Sequence, residues 1–171
     1  MQASMVTTTA SATRALYGRA DLERLLAPRT IAIVGVSQKA DGFGNRTLAN
    51  MDAFQGDVFI VNPKYDTLEG RRCYPSLAAL PRSPDCVVVA LPREGVEGVL
   101  RQCVEVKAGG AILYASGFGE TGKPERQAEQ DRLVQIARAG KVRLFGPNCI
   151  GIVNNLVGAG AQFQPEFRLA C

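Results

Sequence analysis

Short apolar runs alternate with amphipathic stretches along most of the chain. Residues 30–36, 86–92 and 111–115 are almost continuously apolar, as in parallel strands that are covered on both faces. Between residues 93 and 107 apolar side chains recur at helical spacing and two glycines follow, which predicts a crossover helix. In chain order the predicted elements are a helix at 21–26, a strand at 30–36, a helix at 46–54, a strand at 57–62, a short strand and helical turn at 71–81, a strand at 86–92, a helix at 93–107, a strand at 111–115, a helix at 124–139 and a strand at 142–145.

This order of elements determines the expected fold class. Strands and helices that alternate through right-handed crossovers predict a doubly wound α/β fold, with a mainly parallel sheet and helices on both faces. The 171 residues are 46% apolar, which allows one full core and therefore one domain. We expect a disordered tail at 1–19, the folded domain at 20–154, and a linker or truncated edge at 155–171, where no period is evident.

Composition excludes several classes of function. The net charge of +4 and an aromatic content of 6% lack the basic stripe and stacking platforms of a nucleic-acid-binding protein. Five scattered cysteines without C-x-x-C spacing argue against a zinc site and against a secreted disulfide framework. Because the sequence has no apolar stretch long enough to cross a bilayer and no secretory signal near its start, we expect a cytoplasmic protein without membrane contact.

Small and polar residues follow several of the predicted strands. In an open parallel sheet, ligands bind outside the carboxyl ends of the strands, at the point where the strand order reverses. The residues that would line this rim are Gly35, Ser37, Gly42 and Gly44 after the first strand, Asn62, Pro63, Lys64 and Tyr65 after the second, Pro92 after the fourth, Ser116, Gly117, Phe118, Gly119 and Glu120 after the fifth, and Gly146, Pro147, Asn148 and Cys149 after the last.

The loop after the first strand is a candidate phosphate site. Gly35 allows a sharp turn, the following helix can offer unpaired N–H groups to an anion, and Ser37 adds a hydroxyl donor. The loop does not contain the G-x-G-x-x-G pattern of dinucleotide-binding domains. A phosphate site and a simple turn therefore both fit this loop.

The end of the second strand distinguishes between cofactors. NAD-binding domains usually carry Asp or Glu near this position, whereas this chain has Asn62 followed by Lys64. A cation suits an additional phosphate near the ribose, as in coenzyme A (CoA) or NADP. Taken alone, Lys64 fits a solvated lysine in a turn better than a phosphate ligand.

Six segments together resemble the CoA-binding domain of the NDP-forming acyl-CoA synthetases, the family that includes the succinyl-CoA synthetase α subunit. The similarity extends from Leu22 to Asn154. The segments that show it are GVS, VNPKYD, LEGRRCYPSLAALP, DCVVVALP, SGFGETG and RLFGPNCIGIVN. The resemblance implies a Rossmann-like domain with CoA lying along the rim. The implied contacts are Gly35, Ser37 and the loop through Gly42 for the phosphates, Asn62 and Lys64 for the phosphorylated ribose, Leu91 and Pro92 for the adenine, Ser116 and Gly117 for the pantetheine arm, and Asn148 beside the reactive centre. The loop from 38 to 44 departs from the family pattern.

Several residues of these motifs also have a purely structural interpretation. The glycines near Gly117 suit a loop that needs positive φ, and Asn148 can bond to backbone groups beside Pro147. Glu120 fits a solvated loop acid better than a catalytic group, and Cys149 fits a buried thiol. We therefore assign no catalytic residue and no metal ligand.

The chain contains no histidine, whereas synthetases of this family are understood to pass phosphate through one. The resemblance thus implies that the histidine and the ATP-grasp domain belong to a partner domain or subunit. Three functions remain open: a CoA-binding part of an acyl-CoA synthetase, which we favour, an NADP-dependent oxidoreductase, and a standalone regulator that senses CoA or nucleotide.

Overall fold

Strands and helices alternate along residues 16–39 and 41–164, the part of the chain that a computed structural model describes. In chain order the elements are α1 (Arg19–Leu26), β1 (Thr30–Val34), α2 (Phe43–Ala49), β2 (Asp57–Val61), β3 (Thr67–Leu68), β4 (Arg71–Tyr74), β5 (Cys86–Val89), α3 (Arg93–Glu105), β6 (Gly110–Leu113), α4 (Pro124–Ala139), β7 (Arg143–Phe145), β8 (Gly151–Asn154) and β9 (Ala159–Gln162), with 3₁₀ turns at Leu77–Ala79 and Gly119–Thr121.

Seven strands form one sheet in the order β3-β4-β2-β1-β5-β6-β7. β1 pairs in parallel with β2 on one side, from Thr30 opposite Asp57, and with β5 on the other, from Ile31 opposite Cys86. From β1 the chain passes to β2 and to the antiparallel edge strand β3, and β4 then fills the place between β3 and β2. The chain returns to the centre and runs outward again from β5 to β7. The strand order therefore reverses between β1 and β5, and the predicted doubly wound, mainly parallel sheet is confirmed.

Alternate side chains of each strand point to opposite faces of the sheet, and each face has its own apolar core. Ala32 and Val34 of β1 belong to the cluster that contains the buried side chains of α3 and α4. Ile31 and Ile33 belong to the cluster that contains those of α1, α2 and β9. All four of these side chains are buried, which explains why β1 is continuously apolar in sequence.

Helix α4 has the bounds that the sequence predicts, with Pro124 in its first turn and Gly140 at its carboxyl end. Helix α2 differs, since it begins at Phe43 after the N-cap residue Gly42 and ends at Ala49, whereas the predicted helix was 46–54. Met51 and Phe54 lie in a turn beyond the helix but remain in the core. Their burial at helix-like spacing is the cause of the wrong boundary.

A hairpin occupies part of the segment predicted to be a linker or truncated edge. β8 and β9 pair antiparallel, with Gly151 opposite Gln162 and Asn154 opposite Ala159. All four residues of β9 are buried, and the Asn50 side chain donates to the carbonyl of Gln162 at 2.9 Å. The linker expectation is therefore wrong for 159–162, because the small residues of β9 are buried on both faces and give no alternating pattern.

The remaining boundary expectations fall partly on other residues. The part of the predicted tail at 1–15 and the end of the predicted linker at 165–171 lie outside the described residues. α1 starts at Arg19, one residue before the predicted start of the domain. Within the described ranges, no helix combines the length and the apolar character that a membrane crossing requires.

The turn after β1 brings two loops of the sheet into close contact. Gly35 has φ +105°, a region that residues with side chains rarely adopt. A Cβ atom at this position would overlap the carbonyl oxygen of Ala90, which follows β5. The two loops that start at the point of strand reversal therefore lie in contact because residue 35 is glycine.

At the opposite, amino-terminal edge of the sheet, Asp85 connects α1 to β1. Its carboxylate accepts hydrogen bonds from Arg24 Nε at 2.7 Å and from the N–H groups of Arg29 and Thr30 at 2.9 and 3.2 Å. Burial alone would raise the pKa of Asp85, but the bonds from Arg24 and Arg29 outweigh it and hold the pKa below its ordinary value. The ionised form of Asp85 therefore stabilises the fold.

We expect Asp85→Asn to lower the free energy of unfolding at pH 7 by about 1–3 kcal/mol, because the charge-assisted bonds from Arg24 and from the N–H groups of Arg29 and Thr30 are lost. The folded-state pKa is lowered, so this contribution is present above the pKa of an unfolded aspartate, about 4, and disappears as the pH falls through the folded value. Urea unfolding at pH 7 and at pH 3 measures the difference. The exposed Asp52→Asn is the control, and an Asp85→Asn effect that is equal at both pH values would contradict the role of the charge.

We expect Gly35→Ala to lower the free energy of unfolding by more than about 2 kcal/mol, because it adds both backbone strain and overlap with Ala90. Gly98→Ala is the matched control, since Gly98 lies inside α3 with open space around it. Alanine there should stabilise the protein by about 0.5–1 kcal/mol through its helix propensity. Equal effects of the two substitutions in chemical unfolding would disprove the close approach.

Candidate functional site

Two adjoining cavities open at the carboxyl edge of the sheet, beside the point of strand reversal. The first has a volume of about 380 Å³ and lies between the loops that follow β1, β2 and β4. The second has a volume of about 490 Å³ and lies over the ends of β5 and β6. Leu91 lines both cavities, so the two adjoin at this residue, and we refer to the pair as the groove. The predicted residues that line the groove are Gly35, Ser37, Asn62, Lys64 and Leu91 in the first cavity and Leu91, Pro92 and Ser116 in the second.

The other three predicted site residues lie next to this groove. Gly42 precedes α2, close to the side chain of Ser37. Gly117 follows Ser116, with its α-carbon beside the Arg93 side chain. Asn148 donates its N–H to the carbonyl of Ala115 at 2.9 Å, beside the end of β6. All ten predicted residues therefore lie at the same edge of the sheet.

The loop after β1 is held by a residue that the sequence analysis did not select. Asn45 of α2 accepts from the Ser37 N–H at 3.1 Å and donates to the Ser37 carbonyl at 2.7 Å. The Gly35 N–H donates to the carbonyl of Val61 at 3.3 Å. The N–H groups of Gly35 and Ser37, which could have faced a phosphate, are thus already bonded within the protein. The Ser37 hydroxyl accepts from the Lys39 N–H at 3.3 Å, so its own proton remains available to a ligand.

Asn62 connects the loops that follow β1 and β2. Its Nδ2 donates to the carbonyl of Val36 at 2.8 Å, and its Oδ1 accepts from the N–H of Lys64 at 3.0 Å. Both ends of the amide are therefore used to hold backbone in place, so Asn62 positions the site. Lys64 is the one charged side chain among the described residues that line the first cavity.

The loop after β6 is fixed by an acidic side chain. The Glu120 carboxylate accepts from the N–H groups of Gly117 at 2.5 Å and Phe118 at 3.0 Å. Arg93, at the start of α3, forms an ion pair with Glu129 of α4 and lies against Gly117. Glu120 is thus a loop-stabilising residue, as its structural interpretation expected.

The reactive side chains near the second cavity are engaged in buried contacts. Burial raises the pKa of Cys149, whose thiol donates to the carbonyl of Leu113 at 3.3 Å. Burial also raises the pKa of Tyr114, whose hydroxyl bonds to Thr47 Oγ1 at 3.0 Å. The Thr47 hydroxyl itself donates to the carbonyl of Phe43 at 2.8 Å, so Tyr114 is the donor of the pair. Both groups are neutral near pH 7 and serve as packing and hydrogen-bonding elements.

Other residues that the sequence analysis missed contribute to the walls of the groove. Tyr65 follows Lys64 and was placed on the rim, but no ligand contact was assigned to it. Ser76 belongs to the predicted short strand and helical turn at 71–81, and Gln102 to the predicted helix at 93–107. Both line the first cavity. The amphipathic pattern of α3 places Gln102 beside the core stripe, but the cavity wall is formed only when α3 packs against the loop after β4.

Comparison with known proteins assigns the part of the chain that forms the sheet and the groove to a family. The family described as CoA binding domain matches residues 29–155. ADP-forming acetate–CoA ligase I of Archaeoglobus fulgidus is 34% identical over 143 residues, which cover 84% of this chain and 21% of that protein. The α subunit of ADP-forming acetate–CoA ligase II of Pyrococcus furiosus is 33% identical over 143 residues, which cover 83% of this chain and 31% of the subunit.

A solved structure agrees with these sequence relatives. The dinucleotide-forming acetyl-coenzyme A synthetase 1 of Ca. Korarchaeum cryptofilum, in complex with phosphate and ADP, has a TM-score of 0.81 at 33% identity, covering 86% of this chain and 32% of that one. The chain thus spans between 21% and 32% of the length of these three proteins. The fold and the motifs agree with these matches, and the chain belongs to the CoA-binding domain family, homologous to a part of the ADP-forming acyl-CoA synthetases.

Proposed function

We propose that this chain binds one CoA molecule along the carboxyl edge of its sheet, as the CoA-binding part of an NDP-forming acyl-CoA synthetase. The observation that carries the proposal is the pair of adjoining cavities joined at Leu91, with Lys64 in one and Ser116 in the other. A groove of this shape suits a long ligand with a phosphorylated end and a neutral arm. Membership in the CoA-binding family supports the same ligand.

The chemistry of the groove suggests how CoA lies in it. The first cavity, which has mainly apolar walls, takes the adenine, and Lys64 beside it takes the 3′-phosphate of the ribose. The Ser37 hydroxyl donates to the pyrophosphate. The pantetheine arm then passes Leu91, which also borders the first cavity, and ends near Ser116 and Gly117. Pro92 lines only the second cavity, so we assign it to the pantetheine arm and not to the adenine that the resemblance implied.

The preference for CoA over NADP rests on the family and not on Lys64. An ammonium group pairs equally well with a 3′-phosphate and a 2′-phosphate, so the residue alone selects neither cofactor. The relatives are CoA ligases, and the matched family is a CoA-binding one.

We further propose that the bond-making steps are carried out by other domains or subunits. The chain has no histidine, and the acid–base and nucleophilic groups near the groove are held in structural contacts. A histidine-bearing domain and an ATP-grasp domain would supply the phosphoryl transfer. One of the relatives is itself described as an α subunit, which fits a partner of this kind.

We expect Lys64→Gln to weaken CoA binding about tenfold, because one charge-assisted contact to the 3′-phosphate is lost. Binding of dephospho-CoA, which lacks that phosphate, should be the same in the variant and the wild type. Isothermal titration calorimetry with both ligands makes the comparison. Lys141→Gln is the matched control, because Lys141 precedes β7 at the opposite edge of the sheet.

Two outcomes of this titration would count against the proposal. Absence of CoA binding by the wild type would contradict CoA binding itself, and tighter binding of NADPH than of CoA would favour the oxidoreductase function. An equal loss of CoA and dephospho-CoA binding in Lys64→Gln would remove Lys64 from the phosphate site while leaving the groove in place.

We expect the 171-residue protein to bind CoA without forming acetyl-CoA when it is incubated with ATP, Mg²⁺, acetate and CoA. The reason is that the phosphoryl-transfer groups lie outside these residues. Chromatographic detection of acetyl-CoA over hours measures this, with a complete ADP-forming acetate–CoA ligase as the positive control. Acetyl-CoA that accumulates in proportion to the protein concentration would show that the chain is catalytically complete.

A further inference from the structure

Two polar side chains that line the first cavity, Ser76 and Gln102, come from the loop after β4 and from α3. The walls of the cavity are mainly apolar, with Val34 and Val61 from the strands, Leu91 from the loop after β5, and Val99 from α3. Such walls suit the faces of a flat, uncharged ring and carry no information about its edge. Selection among rings of this kind requires hydrogen-bonding groups that point into the cavity.

Gln102 provides a donor of fixed orientation. Its Oε1 accepts from the N–H of Leu77 at 3.1 Å, and because an N–H donor must face an oxygen, the amide cannot turn over. The amide nitrogen is consequently directed away from Leu77. Among the described residues Gln102 Nε2 has no hydrogen-bond partner, and the side chain lines the cavity.

Ser76 provides a second group beside the first. It precedes Leu77, the residue that anchors Gln102, and it lines the same cavity. Its hydroxyl does not cap the 3₁₀ turn that follows, so within the described part of the chain it keeps both its donor and its acceptor capacity. Two other polar side chains of the cavity differ, since Asn62 uses both ends of its amide and Ser37 already accepts a bond.

We propose that Gln102 and Ser76 bind the Watson–Crick edge of the adenine of CoA, and that the oriented amide of Gln102 makes this chain selective for adenine over guanine. Gln102 Nε2 donates to the adenine ring nitrogen N1, and the Ser76 hydroxyl accepts from the exocyclic amine at C6. This inference rests on the proposed function, because it assigns the first cavity to the base of CoA.

The proposal predicts discrimination because the two purines present opposite groups at this edge. Guanine carries a hydrogen on N1, which would face the N–H donors of Gln102, and an oxygen at C6. With guanine bound, the amide donor of the partly buried Gln102 would face another donor and both would lose a partner, an arrangement that weakens binding. The apolar walls contact both purines equally, and the Ser76 hydroxyl can bond to the C6 group of either one. The ratio of the two affinities therefore measures the contribution of Gln102.

The test compares adenosine 3′,5′-bisphosphate with guanosine 3′,5′-bisphosphate, which differ only in the base, by calorimetric titration of the full chain. We expect the wild type to bind the adenine ligand at least about tenfold more tightly. In Gln102→Glu the donor becomes an acceptor that still satisfies the Leu77 N–H, so the ratio should fall to about one or invert. Since both ligands carry the same phosphates, repulsion by the new carboxylate cancels in the ratio.

Two further variants separate base reading from a general effect. Ser76→Ala should weaken both ligands by a similar factor, about threefold, and leave the ratio nearly unchanged, because a hydroxyl can accept from the adenine amine and can donate to the guanine oxygen. Gln55→Glu adds the same charge at an exposed position and should leave the ratio unchanged. Thermal unfolding midpoints confirm that each variant is folded.

A wild type that binds CoA but does not distinguish the two bisphosphates would overturn the inference and leave the proposed function intact. A preference for the adenine ligand that remains about tenfold in Gln102→Glu would also overturn the inference and leave the proposed function intact. A wild type that binds neither CoA nor the bisphosphates would instead contradict the proposed function itself.

Discussion

The contact between the turn after β1 and the loop after β5 is the constraint on which the rest of the site depends. β1 is the central strand and pairs with β2 and β5. At its carboxyl end, Gly35 lies directly against the carbonyl of Ala90, which follows β5. Leu91, which follows Ala90, lines both cavities. A side chain at residue 35 would separate the two loops and change the shape of the groove on both sides of Leu91.

Around that contact, polar side chains hold the loops in place. Asn45 bonds to both backbone groups of Ser37, Asn62 joins the loops after β1 and β2, and Glu120 binds two N–H groups of the loop after β6. None of these three side chains depends on a ligand for its hydrogen bonds. The rim is therefore ordered before binding, which reduces the conformational entropy lost when a ligand is held.

The sequence predicts the parts of this arrangement that follow from local pattern. Continuous apolar runs identify the central strands, proline and glycine set the bounds of α4, and the rule for parallel sheets brings ten residues to one edge. The hairpin at 151–162 was missed because Ala159 and Ala161 carry little pattern, and α2 was misplaced because Met51 and Phe54 remain buried outside a helix. The contacts of Asn45 and Gln102 could not be predicted, since each joins elements whose relative position depends on packing.

The central claim is that one elongated ligand occupies the carboxyl edge of the sheet. Titration of the ¹⁵N-labelled chain with CoA, followed by amide chemical shifts, tests it most directly. The predicted result is a single set of saturating shifts in the loops after β1, β2, β5 and β6, with Lys107 and Lys141 at the amino edge unaffected. Shifts centred on the amino edge, or no shifts at saturating CoA, would contradict the claim.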